Sequence, residues 1–470
     1  MALKFKSYAA PGPGGRPRKN NRRAPLKPQD VTLGLSVVHP KAAGIDVGNR
    51  EHYVAVPPHM DANAVRVFGC FTADLLALAD WLQQCGIETV AMQSTGVYWI
   101  ALYDILSERG MKVFLVNGRD TKNMPGRKTD IQECQWLLKL HVYGLLKNSF
   151  RPEEEICVMR TLWRQRQQHV ADAARCTQRM QKALTQMNLQ LANVISDISG
   201  ETGQGIIQAI LRGERDPQEL AKFRDPRIKA SAEQMAKSLV GNWRPELLFV
   251  LKQESEMYQS FQGMIQECDR ESHQRFQSME QKADPAELEK VPRNKRPRGN
   301  APENFDLRAE LYRITGVDLT RVDGINVLTA QTLIAECGSD MSRWGTEGEF
   351  VSWLNLAPKD KITGGKVIGR DRRKVVNRAG QALRNAARSL LHSDSYLGAQ
   401  YRRFRTRLGA PKAIKATAAK LARVVYRLLK HGQAFVDKGA ECYDQNYRQQ
   451  QIRMITKKAA ALGLQVVQSA

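Results

Sequence analysis

Between residues 40 and 120, short apolar runs alternate with longer stretches whose apolar positions recur every three or four residues. The runs are Ala43-Gly44-Ile45, Tyr53–Val56, Val65–Cys70, Thr89–Met92 and Lys112–Val116. Their length and their polar or turn-forming borders predict strands. Ala73–Gln84 and Tyr98–Arg109 carry helical spacing, and a further helix-like run starts at Asp130. Two hairpin links followed by crossovers predict a mixed sheet with helices on it, occupying 37–150.

Past residue 150 the strand signal stops. Residues 151–282 are rich in Gln, Leu, Met and Ala with spacing near the helical period, as in Leu162–Ile198 and Ser231–Met279. Gly213-Glu214-Arg215-Asp216-Pro217 and Arg224-Asp225-Pro226 read as turns between helices. The pattern fits an antiparallel helical hairpin used as a coiled-coil arm, and equally an intramolecular bundle. Residues 283–304 are dominated by Pro, Gly and charge and read as a linker. A basic helical domain is expected over 305–470. The fold class is α/β plus all-α. Three strands, then helix, strand, helix, strand and a carboxylate-bearing helix is the order of an RNase H-like fold.

Composition adds a partner. The 470 residues hold 72 Lys+Arg against 48 Asp+Glu, a formal charge of +24. The excess lies in the folded segments as well as in the tail, which points to nucleic acid rather than to a merely basic soluble chain. Residues 1–36 are Gly-, Pro-, Lys- and Arg-rich and are expected to be disordered, as a phosphate-touching arm or a solubilising tail. Eight cysteines are scattered singly with no C-x-x-C, so neither a zinc site nor a disulfide framework is indicated. No secretory segment and no bilayer-spanning apolar run is read. A soluble, intracellular protein of a reducing cytoplasm is expected.

The candidate chemistry is acidic at one end and basic at the other. Asp46 lies in the first strand pattern. Asp130 and Glu133 are three apart on a helix-like run and share a face. A strand-borne Asp meeting two helix-borne carboxylates suits a divalent cation, Mg2+ or Mn2+, acting on a phosphodiester. Leu319–Ala330, with Gly324 and Asn326 flanking Ile325, fits a helix-hairpin-helix whose amides grip phosphate, Asn326 taking the left-handed conformation of the usual second glycine, and equally an ordinary helix turn. Thr363-Gly364-Gly365-Lys366 sits in a Gly- and Lys-rich loop. Tyr401-Arg402-Arg403-Phe404-Arg405 and Lys412–Lys430 interleave basic and apolar residues, a pattern suited to backbone binding. The histidines show no ligand spacing, and no dinucleotide or phosphate-loop glycine pattern occurs.

From about residue 40 to the C-terminus, the chain resembles the DEDD transposases of the insertion-sequence one-ten family, related to Piv-type invertases. The resemblance rests on Ala43–Asn49, Ser94-Thr95-Gly96-Val97-Tyr98-Trp99, Asn123–Asp130, Cys134-Gln135-Trp136, Gln181–Ser196 and Ala410–Ile414. It implies a RuvC-like N-terminal domain supplying four metal-binding acids, a helical arm, and a C-terminal transposase domain supplying a serine nucleophile. It also implies double-stranded donor and target DNA, a structured non-coding guide RNA, a homodimer assembling to a tetramer, and a place in the bacterial cytosol in association with the nucleoid. Carried across, the acids fall at Asp46, Gln93, Asp130 and Glu133, and the nucleophile at Thr363. Lys122, Arg127, Lys128, Gly324, Gly364, Gly365, Lys366, Arg402, Arg403, Arg405 and Lys412 are the candidate nucleic-acid contacts. Three positions depart from the family pattern. Gln93 replaces Glu and loses a charge, Glu133 replaces Asp and reaches one methylene further, and Thr363 replaces Ser and crowds the hydroxyl. The expected activity is guide-RNA-directed strand exchange. A catalytically weakened RNA and DNA binder and a metal-dependent junction nuclease are the alternatives.

Overall fold

The computed structural model describes residues 36–118, 121, 129–289, 300–358, 360–370, 377–432 and 439–461. Residues 1–35 of the expected tail, residues 290–299 of the expected linker, and Lys122, Arg127 and Lys128 lie outside them. The chain divides into two compact units between Phe150 and Arg151.

The first unit is α/β. Strands β1 (Ala42–Val47), β2 (Glu51–Ala55) and β3 (Val65–Gly69) are followed by α1 (Thr72–Gln84), β4 (Thr89–Gln93), α2 (Trp99–Glu108), β5 (Lys112–Val116) and α3 (Asp130–Val142). The sheet order is β3-β2-β1-β4-β5. β1, β2 and β3 pair antiparallel, and β4 and β5 run parallel to β1. This is the mixed sheet that the hairpin-then-crossover pattern demands.

Both faces of the centre are covered, and strand alternation decides which side chain meets which helix. Ala43, Ile45, Val90 and Met92 join Leu78, Leu82, Leu102 and Leu106 in the larger core with α1 and α2. Ala42 and Ala55 pack instead on Cys134 and Leu138 of α3. Gly44 shares that second face. A Cβ there would stand 2.3 Å from the Leu138 amide nitrogen and 2.4 Å from the Cys134 carbonyl oxygen. Only glycine lets the α3 backbone settle this close to the sheet.

The second unit is mostly helical. α4 (Glu154–Gln186) is followed by α5 (Glu201–Leu211), α6 (Pro217–Ala221), α7 (Ala232–Ser238) and α8 (Pro245–Ser278). Arg166 pairs with Asp269 and Arg179 with Glu254, so α4 and α8 run antiparallel. Helices α5 to α7 close one end of this pair over Met180, Leu184, Ile206, Ile210, Met235 and Leu251. At the other end, Arg160 and Arg164 of α4 reach Glu336. Two expected helical runs are interrupted. The first stops at Gln186, with Asn188 at φ 57°, rather than continuing to Ile198. The second breaks between Ser238 and Pro245, because Gly241 crosses against the Met187 carbonyl, where a Cβ would lie at 2.3 Å.

The remaining elements are α9 (Leu307–Thr315), α10 (Val327–Cys337), α11 (Glu347–Trp353), β6 (Asp360–Thr363), β7 (Lys366–Arg370), α12 (Arg378–Ser389), α13 (Tyr396–Leu408), α14 (Ala410–His431) and α15 (Gly439–Ala461). The stretch expected to be a loop around Thr363 is a β-hairpin. Gly364 and Gly365 both have positive φ, 55° and 76°, as a two-residue hairpin turn requires. Among the described residues no helix is long and apolar enough to cross a membrane.

Candidate active site

The acidic positions are delivered by alternation and register. Residues 42, 44 and 46 of β1 share the face that α3 covers. On β4 the same face carries Thr89, Ala91 and Gln93, since Val90 and Met92 belong to the opposite core. The last paired couple of these parallel strands is Ile45 and Met92. One residue further, Asp46 and Gln93 therefore stand level on neighbouring strands. Helix α3 begins above this edge. Thr129 caps it by accepting from the Gln132 amide, and Asp130 and Glu133 lie in its first turn. Carboxylates there are also favoured by the helix dipole, so the helix gains stability from the same two residues.

The contacts tie these residues together. Gln93 is buried and donates from Nε2 to Glu133 Oε2 at 3.2 Å. Burial pushes the Cys134 thiol up to about 12, and the nearby Asp46 and Asp130 carboxylates add to the shift. Tyr53 faces Asp46 across the β1–β2 pair. Its hydroxyl is held above the ordinary phenol range, first by its hydrogen bond to Glu51, and in smaller part by Asp130. Asp130 itself is solvent-exposed, whereas Asp46 and Glu133 are half-buried. Tyr53 and Gly118 belong to this corner as well. A Cβ on Gly118 would stand 3.1 Å from Gln93 Oε1, so that glycine leaves room for the amide. Neither residue is marked by local pattern. Tyr53 becomes visible only through the strand register.

Carboxylate and amide oxygens are the donors a hard divalent cation takes. Their placement falls short of a formed centre. Among the described residues, no three of His, Cys, Asp and Glu converge closely enough for a metal ion. At the second position the Gln93 amide N–H, not an oxygen, faces Glu133.

Thr363 belongs to the second unit. It ends β6, pairs with Lys366 across the Gly364-Gly365 turn, and is exposed. Ile362, Val367 and Ile368 of the same hairpin are exposed as well. The Leu319–Ala330 segment is a short 3-10 turn followed by α10. Asn326 is not left-handed, as the hairpin reading anticipated; at φ −89° it caps α10 by accepting from the Thr329 amide. Gly324 does have a positive φ of 88°, and a Cβ there would meet the Ala386 carbonyl at 2.7 Å. Its glycine character serves packing on α12.

The basic stretches divide by use. Arg402 donates to the Leu391 and Ser393 carbonyls. Arg403 lies over the Tyr447 ring at 3.6 Å and pairs with Asp444. Arg423 and Arg427 pair with Glu347, and Lys430 donates to the Gly345 carbonyl. These cations, read as part of a phosphate-facing surface, bind neighbouring elements of their own unit. Arg405, Arg407 and Lys412 are exposed.

A strand-end carboxylate beside a buried glutamine, under a helix bearing two more acids, in a chain whose second unit is strongly basic and helical, fits a nucleic-acid-processing class. Two family models match the chain. One is described as a transposase, of the DEDD IS110 type, and covers residues 43–189, spanning Asp46, Gln93, Asp130 and Glu133. The other is described as a transposase of the IS116/IS110/IS902 family and covers residues 318–402, including the Thr363 hairpin. A comparison with curated proteins gave no match. The chain belongs to this insertion-sequence transposase family and is an enzyme of DNA recombination.

Proposed function

We propose that this transposase exchanges strands between donor and target DNA under the direction of a structured guide RNA. In this reading the first unit is an RNase H-like, RuvC-like domain, α4 and α8 form a coiled-coil arm, and two copies pair before assembling to a tetramer. The observation that carries the reading is the corner where Gln93 meets Glu133 level with Asp46, inside a segment matched by a DEDD transposase model. Asp46, Asp130 and Glu133, with the Gln93 amide oxygen, are the residues that would hold Mg2+ or Mn2+. Such an ion, when bound, neutralises charge on the scissile phosphate.

Thr363 Oγ attacks phosphorus. The Oγ–P bond forms as the P–O3′ bond breaks, the hydroxyl proton is released, and the departing oxygen takes one up as a free 3′-hydroxyl. The DNA 5′-phosphate is left esterified to Thr363. Lys366, beside it across the hairpin turn, and the Gly364 and Gly365 amides bind phosphate near the attack. Arg405 and Lys412 extend the contact to flanking DNA, and Lys122, Arg127 and Lys128 contribute from the segment before α3.

A second reading has its own support. The Gln93 amide donating to Glu133 satisfies an acid that a cation would otherwise need, which favours a weakened enzyme that still binds RNA and DNA.

Plasmid strand exchange with the cognate guide RNA decides between them. Low exchange is expected from the chain as it stands. Gln93→Glu, Glu133→Asp and Thr363→Ser together should raise it by more than the sum of the single changes, because metal and nucleophile act as a unit. A covalent protein–DNA adduct should appear with the triple variant and be absent when Gln93→Glu and Glu133→Asp are combined with Thr363→Ala instead. Bound RNA and DNA without exchange, even by the triple variant, would establish the binder.

A further inference from the structure

We infer that Thr89 and His141 form a positioning clamp that sets the register of the carboxylate-bearing helix on the sheet. The inference rests on the acidic corner described above being the reactive one. Strand β4 begins at Thr89 and ends at Gln93, while α3 carries Glu133 in its first turn and His141 in its last. The two elements are bonded at both ends. Gln93 Nε2 donates to Glu133 Oε2 at 3.2 Å, and His141 Nε2 meets Thr89 Oγ1 at 2.9 Å. Four strand steps span about 13 Å, and eight helix steps span about 12 Å, so both bonds close together only when α3 lies antiparallel along β4. Gly44 lies against the α3 backbone between these two points. Sliding α3 by one residue turns it by about 100°, which breaks both bonds and drives the backbone of α3 off Gly44.

The lower bond has a defined polarity. Thr89 Oγ1 donates to the Lys112 carbonyl at 3.0 Å, so it accepts from His141 Nε2–H. His141 Nδ1 is then an unprotonated acceptor, buried and without a hydrogen-bond partner among the described residues. The ring is fully buried, packed 4.7 Å from the centroids of both Phe114 and His39. The groups facing it are Thr89 at the start of β4, Lys112 and Phe114 of β5, and His39 before β1. No carboxylate stands among these to stabilise an imidazolium. A neutral, single-tautomer histidine is therefore locked to one hydroxyl. Leu137 and Leu138 already supply burial on α3, and a buried polar pair adds what apolar contacts lack, a single allowed register.

The test uses the full chain with Thr89→Val, which keeps shape and removes the hydroxyl, and Thr89→Ser, which keeps it. Hydrogen exchange is followed by mass spectrometry across 130–142 and across the sheet. Thr89→Val should speed exchange in α3 at least about tenfold while β1 and β4 remain protected, and Thr89→Ser should restore the slow rate. Uniform acceleration across the unit, or no change in α3, would overturn the clamp. Should Thr89→Val fail to fold, His141→Gln, whose amide keeps an N–H donor, and His141→Phe, which does not, give the same contrast. Mn2+ titration by calorimetry is run alongside. Loss of helix protection with no Mn2+ binding by any variant, the parent included, would retain the clamp and reject the metal-site reading. Weakened Mn2+ binding in Thr89→Val alone is the result expected if both hold.

Discussion

The acidic corner of the first unit and the basic helices of the second invite opposite readings of the same kind of signal. In the first, charged and polar residues far apart in sequence meet because strand parity and parallel register leave them no alternative. In the second, a dense run of cations divides. Arg402, Arg403, Arg423 and Arg427 turn to carbonyls, a ring or a carboxylate of their own unit, while Arg405, Arg407 and Lys412 face solvent. A residue at a strand end has its direction fixed by the backbone. A long flexible cation on a helix takes whichever acceptor lies within reach, so charge density alone does not identify a nucleic-acid surface.

The largest expected effect probes an internally engaged cation at its most extreme. Arg166 and Asp269 are buried inside the α4–α8 pair, with Arg166 Nη2 donating to Asp269 Oδ2 at 3.0 Å. Asp269→Ala leaves a buried guanidinium unpaired and should cost about 3–5 kcal/mol in urea unfolding of the second unit. The double change Arg166→Met with Asp269→Leu should recover most of the loss. A loss below about 1 kcal/mol for Asp269→Ala would mean that this cation contributes nothing internally.

The next prediction bears on the acidic unit. Burial holds His141 down to about 4 from the usual 6.5, with His39 and Lys112 adding to the shift. Burial also lowers His52. The folded state thus prefers neutral imidazole, and the unfolded chain binds more protons as pH falls. The stabilisation is complete above pH 6.5 and is lost as pH falls from there towards 4. By pH 4.5 the first unit should have lost about 2–3 kcal/mol from His141, and His141→Gln should flatten the profile between pH 6.5 and 4.5. An unchanged profile in that variant would show that His141 is not the group responsible.

The smallest effect separates the two kinds of arginine. Arg405→Glu with Lys412→Glu should lower DNA affinity on many sequences alike. The salt dependence should flatten by about one unit of slope for each phosphate that is no longer neutralised. Arg402→Glu should instead lower stability, through the Leu391 and Ser393 carbonyls, and leave the slope nearly unchanged. Equal slopes for the two would remove the distinction between internal and external cations.

Much of the first unit is legible in the sequence. Short apolar runs with polar or turn-forming borders mark its strands, the hairpin-then-crossover order fixes the neighbours of β1, and that order places Asp46 beside Gln93. The hairpin at Thr363 is hidden because two adjacent glycines read as a loop unless the β-branched residues on either side are weighed with them. Asn326 misleads because an asparagine before a helix satisfies a cap as well as a left-handed turn.

What the sequence determined by itself is what short-range periodicity encodes: which segments of the first unit are strands or helices, which face of each is apolar, the mainly helical character of the second unit, and an excess of positive charge. Only the tertiary structure decided that Gln93 gives its N–H to Glu133, that His141 closes on Thr89, and which arginines remain outside. Those outcomes join residues 40, 52 or more positions apart, or depend on side chains with several rotatable bonds. Local pattern carries no information about either, because the partner is chosen by geometry only after the backbone has packed.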